Sequence, residues 1–150
     1  MSTEAIGMST EANKAIVRRF IERVFVAADP AAVDELVSDD FTPHSWPGVG
    51  PGREPLKAAQ ERVRAGLTDP TMTIDDVIAE DDRVAVRLTS SATQSGEFMG
   101  LPRSSKSYVI SEIHIFRLRD GRIVEHWREA DTMGMMRQLG ALPEPATAAR

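Results

Sequence analysis

At Asp69-Pro70 the spacing of apolar residues changes from about 3.6 residues to about 2. Upstream, Ile16, Val17, Phe20, Ile21, Val24 and Phe25 recur at helical spacing. They predict an amphipathic helix from about Glu11 to Ala28, with Arg18, Arg19, Glu22 and Arg23 mostly toward water. Asp29-Pro30 ends it and opens a short helix to about Val37. A third helix, from about Arg53 to Ala65, presents Leu56, Ala59 and Val63 on one side. Between these lies PGVGPG, in which no regular element persists. Downstream, Met72, Ile74 and Val77 suggest one strand. Val84, Val86 and Leu88 alternate with Arg83, Ala85 and Arg87 in a second, reaching about Gln94. Tyr108–Leu118 and about Arg122–Ala130 are the third and fourth. Asp131 suits the N-cap of a final helix holding Met133, Met136 and Leu139, stopped by Gly140. Helices first and strands second is the α+β pattern, here one strongly curved antiparallel sheet with helices packed on it.

A chain of 150 residues is one domain's worth. Its ends are expected to fray. MSTEA at Met1–Ala5 recurs at Met8–Ala12, and the tail from Pro143 is rich in Pro and Ala, so residues 11–142 are the expected domain. A net charge of −5 argues against nucleic acid, which needs a basic face. Without cysteine there are no disulfides, thiolate nucleophiles or Cys-ligated metals. No apolar run approaches the roughly 20 residues of a membrane helix, and no signal-peptide layout opens the chain. A cytoplasmic protein without a membrane partner is the default expectation.

The last third, Ser111–Gly140, concentrates ionisable groups on a hairpin turning at Asp120-Gly121. Loop length decides which residues face each other. A two-residue loop sets Glu112 opposite Glu129. A three-residue loop sets Glu112 opposite Arg128, His114 opposite His126, and Phe116 opposite Val124. Opposite charges across a ladder are favourable by roughly 0.2–1 kcal/mol, which favours the second register. One face then carries Glu112, His114, Phe116, Val124, His126 and Arg128. The other carries Ile113, Ile115, Glu125, Trp127 and Glu129.

Four phrases in this order carry a resemblance: AIVRRFIERVF, FTPHSW, GEFMGLPRSSK, and EIHIFRLRDGRIVEHW followed by MMRQLG. From about Ala12 to Leu142 the chain resembles the SnoaL-like polyketide cyclases of the nuclear transport factor 2-like fold. The resemblance implies a cone-shaped sheet around a pocket closed by the long helix, and a homodimer formed through the sheet. It implies an apolar small-molecule substrate and ring closure by intramolecular aldol chemistry, without metal or organic cofactor. The family's strand histidine matches His114. Its acid/base aspartate stands immediately after the position of Trp127, where this chain has Arg128. Where a relative has glutamine, this chain has Glu112.

The catalytic candidates are therefore His114 as base or acid, Glu112 as its partner or the base, and Arg128 as the holder of a developing oxyanion. Glu112 and Arg128 also read as a plain cross-strand ion pair. Substrate-binding candidates are His44 and Trp46 at the pocket rim, and Phe98 and Met99 as pocket wall or dimer contact. Phe116 and His126 complete the set on the hairpin face. Three histidines without HExxH spacing are weak grounds for zinc, and no metal is expected. Two alternatives stay open. One is a hydrolase similar to limonene-epoxide hydrolase, with Trp127 and Glu129 echoing a Trp-x-Asp. The other is a non-catalytic small-molecule-binding homologue.

Overall fold

A computed structural model describes residues 9–143. The first MSTEA copy, Met8 of the second and the tail beyond Pro143 lie outside those residues. Helix α1 (Thr10–Phe20) starts slightly earlier than expected, because the Ser9 hydroxyl accepts from the Ala12 amide at 3.1 Å. It runs directly into a π-helical segment, Ile21–Val26. There the Ala27 amide reaches back five residues to the Glu22 carbonyl at 3.1 Å. Such segments are rare and concentrate at functional sites. This one carries Phe25, whose ring lies 5.4 Å from that of His114.

Helix α2 (Pro30–Leu36) is capped by Asp29, whose carboxylate accepts from the Ala31 amide at 3.0 Å. Strand β1 (Val37–Pro43) follows immediately, where the sequence predicted a helix end and a loop. Ser38-Asp39-Asp40 breaks any alternation, so the pattern is not strand-like. Pairing decides it: Val37 aligns with Ile123 and Thr42 with Glu125 of the last strand, in parallel. The Arg53 Nε also donates to the Val37 carbonyl at 2.8 Å. Helix α3 (Arg53–Gly66) leads into β2 (Leu67–Glu80), β3 (Arg83–Gln94), β4 (Ser107–Arg119), β5 (Arg122–Ala130) and helix α4 (Thr132–Gln138). The sheet order is β1-β5-β4-β3-β2. It is therefore mixed, and not antiparallel throughout as expected.

Strand β2 passes through Asp69-Pro70, which had read as a boundary. It is an edge strand, and its register slips between Thr68 and Thr71 and again between Ile74 and Asp76. Edges and bulges are where a strand tolerates proline, and bulges bend the sheet.

The core forms two clusters. Ile16, Val17 and Phe20 of α1 pack on Val86, Leu88 and Phe116, with the Phe20 and Phe116 rings edge-on at 5.4 Å. Fully burying each large side chain contributes roughly 1.5–3 kcal/mol. The second cluster joins Leu67, Ala92, Tyr108 and Ile110 to Met135 and Leu139 at the other end of the sheet. Along β4, Glu112 and His114 separate the two clusters.

The 95–106 loop rests on Gly66. The Ser95 and Gly96 amides donate to the Gly66 carbonyl at 3.0 and 3.2 Å. A Cβ at Gly66 would lie 2.4 Å from the Glu97 carbonyl oxygen, so this close approach requires glycine.

The hairpin register differs from the expected one. Asp120 and Gly121, with φ of 53° and 78°, make a two-residue loop that pairs Arg119 with Arg122. A bulge follows. Leu118 faces Ile123, but Arg117 faces Glu125, so Val124 is the extra residue. Ile123 and Val124 are consecutive and both buried, which the bulge allows. Phe116 then faces His126, His114 faces Arg128, and Glu112 faces Ala130. This pairing is displaced by two residues from the expected register. A two-residue displacement keeps every side chain on its face. Glu112, His114, Phe116, His126 and Arg128 still share the inner face.

Candidate functional site

A cavity of about 860 Å³ lies between the inner sheet face, α3, the 95–106 loop and α4. Phe25, Trp46, Met72, Phe98, Tyr108 and Met135 give it an apolar wall. Glu112, His114, Arg128 and Ser90 form its polar centre. An apolar hollow with a few convergent polar groups is the usual form of a small-molecule site.

Inward positions alternate along β3 and β4, which brings Ser90, Glu112 and His114 together. Arg128 enters from β5, opposite His114 and diagonal to Glu112. The diagonal distance suits a long side chain. Its backbone is held by the Ser45 hydroxyl, which accepts from the Arg128 amide at 2.8 Å. The Glu112 carboxylate accepts three hydrogen bonds. Its Oε1 takes them from His114 Nε2 at 2.8 Å and Arg128 Nε at 2.9 Å, and its Oε2 from Ser90 Oγ at 2.6 Å. The Glu112 side chain is 3% exposed and that of Arg128 28%. The terminal nitrogens of Arg128 have no partner among the described residues.

Burial by itself would raise the carboxyl pKa of Glu112. The bonds from His114, Arg128 and Ser90 outweigh it and hold the group well below its ordinary value. Burial lowers the pKa of His114 against the pull of Glu112, so the imidazole stays neutral. His126, fully enclosed, is lowered further by burial, with the charge of Arg128 acting in the same direction. Tyr108 is pushed up to about 12 by burial and by Glu112, so its hydroxyl is a neutral donor.

Of the residues expected to bind substrate, Trp46, Phe98 and Met99 line the cavity. Phe116 and His126 do not. Phe116 is fully buried between Phe20 and His126, in the apolar core. His126 sits behind His114, with its Nε2 2.8 Å from His114 Nδ1. His44 is not at the rim either. Parallel pairing of β1 with β5 carries it past His126, whose carbonyl accepts from its amide at 2.9 Å. Its ring stacks on the outward Trp127 at 4.8 Å and bonds to Glu125 at 2.8 Å. The three histidines therefore do not converge on one point. Glu129, needed by the epoxide-hydrolase reading, is exposed and pairs with the outward Ile113.

Tyr108, Ser90 and Met72 were missed as site residues. Tyr108 has the same parity on its strand as Glu112 and His114, and that signal alone could have found it. Ser90 and Met72 come from neighbouring strands, whose alignment the sequence leaves open.

No curated protein matches the chain. Among solved structures, TsrD from Streptomyces laurentii is 30% identical and superposes with a TM-score of 0.83, covering 90% of this chain and 99% of its own. IdmH from Streptomyces antibioticus, a candidate polyketide cyclase, is 31% identical with a TM-score of 0.73, covering 85% and 98%. AclR from Streptomyces galilaeus, a candidate hydroxylase, is 25% identical with a TM-score of 0.78, covering 92% and 87%. The family model described as SnoaL-like polyketide cyclase matches residues 15–139. That match runs from the middle of α1 through α4 and takes in the whole cavity between them, and by it the chain belongs to the SnoaL-like polyketide cyclase family, with the nuclear transport factor 2-like fold.

Proposed function

We propose that this protein is a cofactor-independent enzyme that moves a proton next to a carbonyl of an apolar small molecule, in aldol-type ring closure or isomerisation. One observation carries the reading: Arg128 commits its Nε to Glu112 and leaves its terminal nitrogens without a partner among the described residues, beside the cavity. A carboxylate and a free guanidinium fork thus meet at one point. Glu112 takes the proton from the carbon next to the carbonyl. The C–H electron pair becomes a C=C bond and the carbonyl π pair moves onto the oxygen, which Arg128 holds as the enolate forms. The enolate carbon then attacks a second carbonyl of the same molecule, whose oxygen takes the proton from Glu112 and becomes a hydroxyl, or the enolate carbon takes that proton back itself. A carboxylate held so low is a weak base, so stabilisation of the enolate has to supply most of the driving force. The neutral Tyr108 hydroxyl is available to a second substrate oxygen. His114 has both ring nitrogens engaged, by Glu112 and His126, and serves as a donor holding the carboxylate.

The probe is 2-tetralone, an apolar bicyclic ketone, followed by NMR in D₂O. The protein is expected to speed loss of its α-proton signals, and His114→Ala to slow that loss. A wild-type protein that gives only the buffer rate would sink the reading. It would favour a binding protein without catalysis, which the three donors already satisfying Glu112 also suit. IdmH and AclR, with cyclase and hydroxylase descriptions on one fold, accord with the rule that fold alone does not choose the chemistry.

The same reading includes a homodimer through the outer sheet face. There Val109, Ile113 and Ile115 are 60%, 49% and 37% exposed on one strand. Sedimentation velocity is expected to give a dimer, and Ile113→Lys a monomer. A monomeric wild type at tens of micromolar removes the proposal.

A further inference from the structure

The mechanism above leaves one buried titratable group without a role. His126 is 0% exposed, among the rings of Trp46 at 4.8 Å, Phe116 at 4.8 Å and Phe25 at 5.7 Å. Its Nε2 lies 2.8 Å from His114 Nδ1, while its own Nδ1 has no partner among the described residues. Two neutral imidazoles this close share one proton between them, so one ring donates and the other accepts.

The remaining contacts decide the direction. Glu112 is ionised, because Arg128 Nε and Ser90 Oγ both donate to it. A carboxylate only accepts, so the His114 Nε2 that faces it at 2.8 Å carries the proton. Neutral His114 then has a bare Nδ1, which accepts from His126 Nε2–H. His126 in turn is left with a bare Nδ1 in its apolar pocket. The reverse arrangement fails twice. It would set a lone pair of His114 against the Glu112 carboxylate. It would also bury an unpaired N–H on His126, and a buried orphan donor is rarer than an under-satisfied acceptor.

We infer that His126 is a positioning residue. By donating from Nε2 it locks His114 in the Nε2–H tautomer, and that tautomer presents a fixed donor to Glu112 Oε1. Which nitrogen of an imidazole carries the proton is set by the bond its other nitrogen makes. The chain of donation runs one way, from His126 through His114 to Glu112. The inference rests on the reading of Glu112 as the base.

The test uses the full chain, labelled with ¹⁵N. Long-range ¹H–¹⁵N correlation at neutral pH is expected to show Nε2 protonated and Nδ1 bare in both rings. A His114 protonated at Nδ1, alone or together with Nε2, overturns the inference. In His126→Phe the donor is gone, and the His114 signals are expected to move to a mixture of tautomers. The exchange rate of 2-tetralone should fall roughly tenfold, the scale typical of losing an outer-shell partner. In His126→Gln the side-chain amide reaches the place of Nε2 and restores both the tautomer and, to within about threefold, the rate. A His126→Phe protein with unchanged His114 signals also overturns the inference. If His126→Phe misfolds, the wild-type spectrum and His126→Gln still decide it. Two failures are separable. Full exchange in Glu112→Gln sinks the base assignment. Loss of exchange in Glu112→Gln, with none in a tautomer-shifted His126→Phe, sinks the positioning role.

Discussion

Glu112→Gln is expected to slow α-proton exchange roughly a hundred- to a thousandfold, within the usual range for removing a general base. The fold should survive, because the amide fits the same bonds. Its carbonyl oxygen in place of Oε1 still accepts from His114 Nε2 and Arg128 Nε. Its nitrogen in place of Oε2 donates to Ser90 Oγ, which turns from donor to acceptor. What is lost is the negative charge, and Arg128 at 28% exposure has water to turn to. A stability loss of about 1 kcal/mol is the expectation from weakened hydrogen bonding. Exchange kinetics and denaturant unfolding on the same preparation check both parts. Near-wild-type exchange would leave Arg128 and Tyr108 without a base beside them, and the proposed chemistry would fail.

Arg128→Asp should have the largest effect on stability. It replaces the cation beside Glu112 with a second carboxylate, at the position where the family resemblance places an acid/base aspartate. Removing one partner of a buried pair costs about 3–5 kcal/mol, and like charges add to it. The sign with pH follows from the direction of the shift. In the wild type, Glu112 is held below its ordinary 4.5. Its contribution is therefore present above 4.5 and lost as pH falls through the depressed folded value. In the variant one carboxyl is raised instead. Its destabilising effect is absent below about 4.5 and grows as pH rises toward the raised value. Unfolding at pH 5 and pH 8 should thus give a wild-type-minus-variant difference that is larger at pH 8. An equal loss at both values would show that Glu112 and residue 128 are not electrostatically coupled. Combining Glu112→Gln with Arg128→Asp removes the like-charge pair and should recover most of the loss. It also leaves a lone carboxylate on β5, and exchange above that of Glu112→Gln is expected.

Much of this arrangement was legible before any coordinates. The alternation of Val84–Val86–Leu88 and of His114–Phe116 places those side chains inward whatever the partner strand. The grouping of Glu112 with His114 and Arg128 survived a wrong register, because the true pairing differs by two residues and parity is all that a face records. The bulge at Val124 was not legible. It reconciles a two-residue turn, demanded by positive φ at Asp120 and Gly121, with burial of both Ile123 and Val124. Neither requirement points to it alone.

His44 shows the opposite case. Its neighbours in the sequence suggested a pocket rim, yet a parallel strand with no alternating pattern carried it to the outer face, onto Trp127 and Glu125. Apart from β1, local pattern by itself determined which helices and strands form, which side chains face inward on the strands, and that ionisable groups crowd the last hairpin. These follow from backbone period and burial, which act within a few residues. Only the tertiary structure decided that β1 joins β5 in parallel, that His126 lies behind His114, and that Ser90 and Met72 belong to the cavity. Those depend on alignment between strands distant in the chain, where hydrogen bonding and packing choose among registers that local propensity leaves nearly equal.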